Sequence, residues 1–250
     1  MKKVLLIILV FGIAYSAFGQ RESDFLVTLT SDGTGVLITK YTGSATDVRT
    51  PATIEGMPVK EIGDEVFRHT SVTRVVFPEG VISLGDRVFY YIQSLTSVTL
   101  PSTLKKIGDE AFYFCGSLRT INLPAGITEI GRSAFAHTGL TSVTLPAGLT
   151  VINEGLFSYC RNLATIVIPE GVTTIYGGYM GVFNDCSLTA ITLPSTIESI
   201  HGSPFGSIRT INIPESVTKI EFHGYLNISN LSLASQAALR RVGFVERMAP

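Results

Sequence analysis

Residues 95–115 read LTSVTLPSTLKKIGDEAFYFC, and this stretch decides the fold because its pattern recurs along the chain. Residues 95–100 alternate apolar and small polar side chains, which predicts a short β-strand, and Pro101 ends it. Residues 118–124 and 163–169 repeat the pattern. Prolines recur at spacings of 20 to 27 residues, at Pro51, Pro78, Pro101, Pro124, Pro146, Pro169, Pro194 and Pro214.

The second half of each unit carries two apolar positions. An aliphatic residue lies six residues after each of the last seven of these prolines, and in most units a phenylalanine follows five residues later. Each unit therefore has an apolar edge that it cannot bury alone, and stacking the units buries it. The sequence predicts a β-rich repeat solenoid of about eight units with parallel strands, in which equivalent positions form columns.

An open stack must cover both of its ends. Residues 25–41 alternate around an Asp32-Gly33 turn signal, which predicts a β-hairpin cap within the N-terminal segment 20–47. The repeats are expected to occupy 48–220. Residues 232–241, with Leu233, Ala237, Ala238 and Leu239 apolar, predict a short capping helix in the C-terminal segment 221–250.

The first residues predict export. Lys2 and Lys3 precede an apolar run over 4–15, and Ala17 and Gly19 are small residues of the kind that signal peptidases read, so residues 1–19 are a predicted signal peptide. The run is shorter than the roughly 20 residues that cross a bilayer, so no membrane span is expected after cleavage. The predicted location is extracellular, cell-surface or periplasmic.

Charge argues against a nucleic-acid partner. Cleavage after Gly19 would leave 17 basic and 20 acidic residues, a net charge of −3 over 231 residues. A balance this close to neutral lacks the basic face that nucleic-acid binding requires, and it also lacks a polybasic membrane patch.

The composite L-x-x-I-x-I-P-x-x-V-x-x-I-G-x-x-A-F-x-x-C-x-x-L, which residues 95–115 and 118–135 follow closely, resembles the BspA-type leucine-rich repeat. The resemblance covers roughly 48–220, and residues 54–60 are similar to the usual opening of that family. It implies a leucine-rich-repeat stack and roles in adhesion to host matrix proteins and to other cells.

Three groups of residues are candidates for partner binding. Outward strand residues form a small, hydroxyl-rich face, although threonine also favours strands without any partner. Aromatic residues cluster after the phenylalanines, where some could instead join the core. A three-residue insertion within 176–181 could be a contact loop or slack. The candidates are Thr99, Asn122, Thr144, Tyr90, Tyr113, Tyr159, Tyr176 and Tyr179.

The cysteines occupy one repeat position, where Cys115, Cys160 and Cys186 replace apolar or small residues of other units. Cys115 and Cys160 are two units apart, too far to share a zinc ion. Cys160 and Cys186 lie in adjacent units, so a disulfide between them is one alternative, but the column position favours free buried thiols.

No pattern in the sequence indicates catalysis. Asp64, Asp86 and Asp109 form an acidic column that either binds calcium or, as favoured, builds the Gly-Asp turns. The histidines, at His69, His137, His201 and His223, show no zinc spacing. Neither His69 nor His137 has an evident acidic partner. We therefore predict a non-enzymatic module without cofactor or metal. It would bind a protein or glycan at the cell surface or after secretion; the alternative is a structural or assembly partner in the periplasm.

Overall fold

The computed structural model describes residues 20–206, 208–221 and 233–241. A 3-10 turn (Glu22–Asp24) precedes eighteen strands, and one helix, α1 (Leu233–Arg241), follows them. The strands are β1 (Phe25–Leu29), β2 (Val36–Tyr41), β3 (Asp47–Arg49), β4 (Thr53–Ile54), β5 (Met57–Ile62), β6 (Arg74–Val76), β7 (Ser83–Leu84), β8 (Ser97–Thr99), β9 (Lys106–Ile107), β10 (Glu129–Ile130), β11 (Ser142–Thr144), β12 (Val151–Ile152), β13 (Thr165–Val167), β14 (Thr174–Tyr176), β15 (Ala190–Thr192), β16 (Ser199–His201), β17 (Thr210–Asn212) and β18 (Lys219–Glu221).

The chain is a parallel-strand β-solenoid of about eight turns, as the repeat predicts. Most turns contribute to two ladders of paired strands. The first ladder contains the predicted strands before the prolines, with β3 pairing β6 and β6 pairing β8. The second ladder runs through the aliphatic positions after the prolines, from β5 through β7 and β9 to β10 and again from β12 to β18. The repeat pattern had not predicted this second ladder.

The first ladder is interrupted, which corrects one prediction. Residues 120–122 form no strand, although they match the pattern of β8, so Asn122 lies outside the paired sheet. The second ladder is also interrupted, between β10 and β12. These two interruptions border the unit from Pro124 to Pro146, which is 22 residues long against 23 in its neighbours. The first ladder is interrupted once more between β13 and β15, which lie in separate sheets.

The core is a column of phenylalanine rings. All seven are fully buried, at Phe67, Phe89, Phe112, Phe135, Phe157, Phe183 and Phe205. Consecutive rings from Phe67 to Phe183 are stacked with their centroids 5.1 to 6.1 Å apart. Phe183 keeps its place in the column despite the insertion before it, so the inserted residues are extruded from the repeat rather than shifting it.

The N-terminal cap has the predicted form, since β1 and β2 are an antiparallel hairpin. β2 then pairs with β5 in parallel, so the hairpin continues the second ladder, and the Tyr41 ring lies 5.4 Å from that of Phe67. The extra residues of the first unit form a second hairpin, β4 with β5.

The C-terminal helix α1 also has the predicted place. Leu239 is fully buried in the core, and Arg241 donates a hydrogen bond to the carbonyl of Pro214 at 3.0 Å. Ala237, in contrast, is exposed. The predicted signal peptide, Ser232 and the sequence beyond Arg241 lie outside the described residues.

Candidate binding surface

The acidic column builds the turns of the solenoid. The Asp64 carboxylate accepts a hydrogen bond from the backbone N–H of Asp86 at 2.8 Å, and Asp86 accepts one from Asp109 in the same way. Asp109 in turn accepts from Arg132 at 2.7 Å. One oxygen of each carboxylate thus accepts a hydrogen bond from a backbone N–H in the turn of the next unit, which supports the turn-forming interpretation. Within 20–206, 208–221 and 233–241, no three His, Cys, Asp or Glu side chains converge as metal ligands.

The cysteine column is part of the core. Cys115, Cys160 and Cys186 are free thiols, as favoured, and each donates a hydrogen bond to the carbonyl of a core phenylalanine at 3.0 to 3.2 Å. Burial raises the pKa of Cys160 to about 11 and that of Cys186 to about 12. These protonated thiols are poor nucleophiles and poor metal ligands.

Four aromatic side chains form a continuous stack on the flank of the solenoid. Tyr91 lies on Phe114 with centroids 4.6 Å apart, Phe114 on His137 at 4.2 Å, and His137 on Tyr159 at 4.6 Å. The interplanar angles are 3°, 19° and 8°. Each ring belongs to a different unit, so the stack follows the solenoid across four turns.

The backbone explains the alignment of these rings. Each of the four residues has a left-handed backbone, with φ of 57° to 62°. Their N–H groups donate to a carbonyl of the next unit, as from Tyr91 to Tyr113 at 2.8 Å and from His137 to Ser158 at 2.8 Å. The rings are therefore held at the spacing of the units, which brings them into face-to-face contact.

A second, shorter column lies beside the stack. Tyr90 and Tyr113 are stacked with centroids 5.3 Å apart, and Tyr113 also contacts the edge of His137 at 5.3 Å. The guanidinium groups of Arg68 and Arg87 each lie 5.6 Å from the centre of the Tyr90 ring. We call the six side chains Tyr90, Tyr91, Tyr113, Phe114, His137 and Tyr159 the aromatic ridge.

The aromatic ridge is partly exposed, and none of its six side chains is an acid, a lysine or an arginine. Tyr91 is 49% exposed and the other five side chains are half-buried. Desolvation, with a smaller contribution from Arg161, holds the pKa of His137 below its ordinary value. Desolvation also raises the pKa of Tyr113. The faces of the rings are largely covered by neighbouring rings, so the ridge presents mainly ring edges to solvent.

A groove lies beside the lower part of the ridge. The stretch from Phe135 to Leu140 is one residue shorter than the equivalent stretches on either side, and Gly139 is buried there. The groove has a volume of about 530 Å³. Its lining residues are Gln93, Phe114, Gly116, Ser117, His137, Tyr159 and Arg161.

The predicted site residues do not form one surface. Tyr90, Tyr113 and Tyr159 join the ridge, the last through His137. The outward strand residues Thr99 and Thr144 are exposed on the first ladder, and Asn122 is exposed on the unpaired segment between them.

Tyr176 and Tyr179 lie elsewhere, on the inserted loop. The Glu154 carboxylate holds that loop by accepting the N–H of Tyr179 at 2.8 Å, and the Tyr179 side chain is fully exposed. Gly178 has a left-handed backbone with φ of 53°, and a Cβ there would displace the end of the Glu154 side chain, which would lie 2.0 Å from it. Tyr176 stacks on His201 at 4.8 Å.

Sequence reasoning missed two arrangements. His137 was weighed only as a catalytic residue, although its column position beside Phe114 and Tyr159 places it in the stack. His201 has an acidic partner, since its Nδ1 lies 2.9 Å from Oε2 of Glu221. His201 and Glu221 occupy equivalent positions of adjacent repeats and pair across β16 and β18, so their spacing could have identified that contact.

Comparisons with known proteins agree with this architecture. The model of the BspA type leucine rich repeat region matches six copies over residues 60–180 and 179–240. No curated protein is significantly similar in sequence. Solenoids of this family are generally not enzymes. Among the described residues, no helix has both the length and the apolar character that crossing a bilayer requires.

Solved structures of bacterial leucine-rich repeat proteins share the fold. The T. pallidum leucine rich repeat protein is 28% identical with a TM-score of 0.70, over 90% of this chain and 96% of that one. A leucine rich cell surface protein from Faecalibacterium prausnitzii is 32% identical with a TM-score of 0.65, over 89% of this chain. A leucine-rich repeat protein from Bacteroides ovatus is 24% identical with a TM-score of 0.69, over 79% of this chain. The chain spans 54% of each of the last two. The chain therefore belongs to the BspA-type leucine-rich repeat family, a family of protein-interaction solenoids.

Proposed function

We propose that this solenoid is an exported adhesion module that binds a protein partner through its aromatic ridge. The observation that carries the proposal is the stack of Tyr91, Phe114, His137 and Tyr159, which leaves an aromatic surface open to solvent across four units. Tyrosine-rich, partly exposed surfaces of this kind are where binding energy concentrates in protein interfaces. The hydroxyl-rich strand face offers only small side chains.

The geometry of the ridge favours a protein over a glycan. Sugars stack on exposed aromatic faces, but most faces here are already covered by a neighbouring ring. The exposed ring edges carry partial positive charge and pack well against other aromatic rings and carbonyl oxygens, which protein surfaces supply.

Export is supported by the predicted signal peptide and by the neighbours. Lys2, Lys3 and the apolar run over 4–15 have the arrangement of a signal sequence. The similar F. prausnitzii protein is described as a cell surface protein, although this chain spans only 54% of it. A surface location would expose the ridge to partners outside the cell.

The binding test replaces ring residues by asparagine. Asparagine tolerates a left-handed backbone, so Tyr91→Asn, Phe114→Asn and Tyr159→Asn together remove the rings and keep the turns. Binding to immobilised extracellular matrix proteins would be measured for the wild type and for this triple variant. We expect at least a tenfold loss of affinity, since two or three interface rings each contribute about 1–2 kcal/mol.

A matched control alters the other exposed face. Thr99→Ala, Thr144→Ala and Thr192→Ala change three exposed residues of the first ladder and leave the ridge intact. If the threonine variant loses binding and the asparagine variant keeps it, the partner docks on the strand face and the ridge proposal is wrong. Far-UV circular dichroism of both variants checks that the solenoid remains folded.

The location test is protease shaving of intact producing cells, with immunodetection of the chain in cells and medium. We expect the chain to be cleaved on intact cells or found in the medium. Protection until the outer envelope is permeabilised would rule out direct adhesion and favour the periplasmic alternative. A known periplasmic protein, probed in the same samples, controls for envelope damage.

A further inference from the structure

The groove beside the ridge is lined by hydrogen-bond donors. Within the described part of the chain, the backbone N–H groups of Gly116 and Ser117 donate no hydrogen bond. The Gln93 amide and the Ser117 hydroxyl also have no hydrogen-bond partner there, and Arg161 is the only charged residue of the lining. The groove thus offers positive charge and donors with no anionic acceptor among its own residues.

The aromatic wall of the groove also presents partial positive charge. Phe114, His137 and Tyr159 are stacked on one another, so they turn their edges rather than their faces outward. Aromatic ring edges carry partial positive charge and attract anions. A ligand that combines an apolar body with a carboxylate would match both the wall and the rim.

We propose that this groove binds an aspartate or glutamate side chain of the partner protein, together with an apolar residue beside it. The proposal rests on the proposed function, since it specifies what the partner presents at one end of the ridge. The carboxylate would pair with the Arg161 guanidinium and accept hydrogen bonds from the Gly116 and Ser117 segment. The neighbouring apolar side chain would pack on the edges of Phe114 and Tyr159.

One internal carboxylate competes for the arginine. Asp185 lies 3.6 Å from Arg161, in an ion pair whose side chains are 51% and 76% exposed. An exposed pair at this distance is weak, so a ligand carboxylate with additional donors can displace it. This competition predicts that removing the Asp185 charge strengthens ligand binding.

The probes are two short peptides that differ in one group, acetyl-Leu-Glu-Phe-amide and acetyl-Leu-Gln-Phe-amide. Each is titrated into the ¹⁵N-labelled chain while the amide resonances of Gly116, Ser117 and Gly139 are followed. We expect the glutamate peptide to shift these resonances with a dissociation constant on the order of millimolar, which is typical of a ligand of this size. The glutamine peptide should bind at least fivefold more weakly.

Three variants locate the probe. Gly116→Trp is designed to block the groove, since Gly116 lines it and an ideal Cβ at this exposed glycine meets nothing within 4 Å. Arg161→Gln removes the charge. Both should abolish or weaken binding of the glutamate peptide at least fivefold. Asp185→Asn keeps the left-handed backbone at φ 54° and frees Arg161, so it should strengthen binding about 2- to 5-fold.

The outcomes separate this inference from the proposed function. Equal binding of the two peptides, no response to either, or wild-type binding by Gly116→Trp would each overturn the carboxylate site. Shifts caused by 3′-sialyllactose but not by the glutamate peptide would assign the groove to an acidic sugar instead. If the peptide binds as expected while ridge variants keep full binding to matrix proteins, the groove stands and the proposed docking surface fails.

Discussion

The phenylalanine column makes a quantitative prediction about stability. Phe112 is fully buried, and its ring lies 5.1 Å from that of Phe89 and 5.1 Å from that of Phe135. Phe112→Ala would leave a cavity in the middle of the stack. Because the rings on either side are fixed by their own units, the site cannot collapse to fill it.

The magnitude follows from two contributions. Removing a buried phenylalanine side chain costs about 3–5 kcal/mol of unfolding free energy. Loss of two stacked ring contacts adds about 0.5–1.5 kcal/mol each beyond burial. We therefore expect Phe112→Ala to lower the free energy of unfolding by about 4–8 kcal/mol, a large share of the roughly 5–15 kcal/mol of an ordinary domain. Phe112→Leu keeps most of the volume and should cost about 2–3 kcal/mol.

Urea unfolding followed by far-UV circular dichroism measures these differences. The chain contains no tryptophan, so intrinsic fluorescence reports only on tyrosine and is the poorer probe. A double-mutant cycle with Phe89→Leu and Phe112→Leu isolates the ring–ring coupling, expected at about 0.5–1.5 kcal/mol. A loss below about 1 kcal/mol for Phe112→Ala would show that the column does not support the stack and would refute this reasoning.

Three further predictions concern the turns and the thiols. Asp86→Ala removes the acceptor for the N–H of Asp109 and should lower the free energy of unfolding by about 1 kcal/mol in urea titrations, with Asp86→Asn retaining part of it. Gly108→Ala places a Cβ 2.5 Å from the carbonyl of Gly85 and should cost about 1–3 kcal/mol in the same assay, whereas a neutral result would mean that the turn can open. The pKa of Cys160 is raised to about 11, so the folded state keeps a proton that the unfolded thiol loses near pH 8.5. This contribution to stability is complete below about pH 8.5 and is lost as the pH rises toward 11, so Cys160→Ala should show a shallower loss of unfolding free energy over that range.

The sequence predicted the core and the caps because those features depend on side-chain identity. Phe112 and its equivalents recur at a fixed offset, and a buried column tolerates little variation in residue type. Phe183 could be assigned to the same column despite the insertion, since no other large apolar residue near it fits. The Asp32-Gly33 signal placed the first hairpin for a similar reason, because only certain residues suit its turn.

The second ladder and the interruption at residues 120–122 were not predictable in this way. Strands of two residues, such as β7 and β9, are held by backbone hydrogen bonds that leave only one aliphatic residue as a signature. Residues 120–122 match the pattern of β8 and yet form no strand, so their side-chain types do not decide the pairing. The groove beside the ridge is likewise lined by residues of several units, and residue-type patterns do not reveal it.

The fold does not explain why the residues of the aromatic ridge are aromatic. The turn after each core phenylalanine from Phe67 to Phe183 contains a left-handed residue, a conformation that costs a non-glycine residue roughly 1 kcal/mol and suits glycine or asparagine better. Tyr91, Phe114, His137 and Tyr159 fill four successive turns of this kind with rings. Each ring contact contributes about as much as one strained turn costs, so the stack brings little net stability. The stack instead exposes an ordered row of ring edges to solvent. This arrangement is better suited to binding a partner than to stabilising the fold.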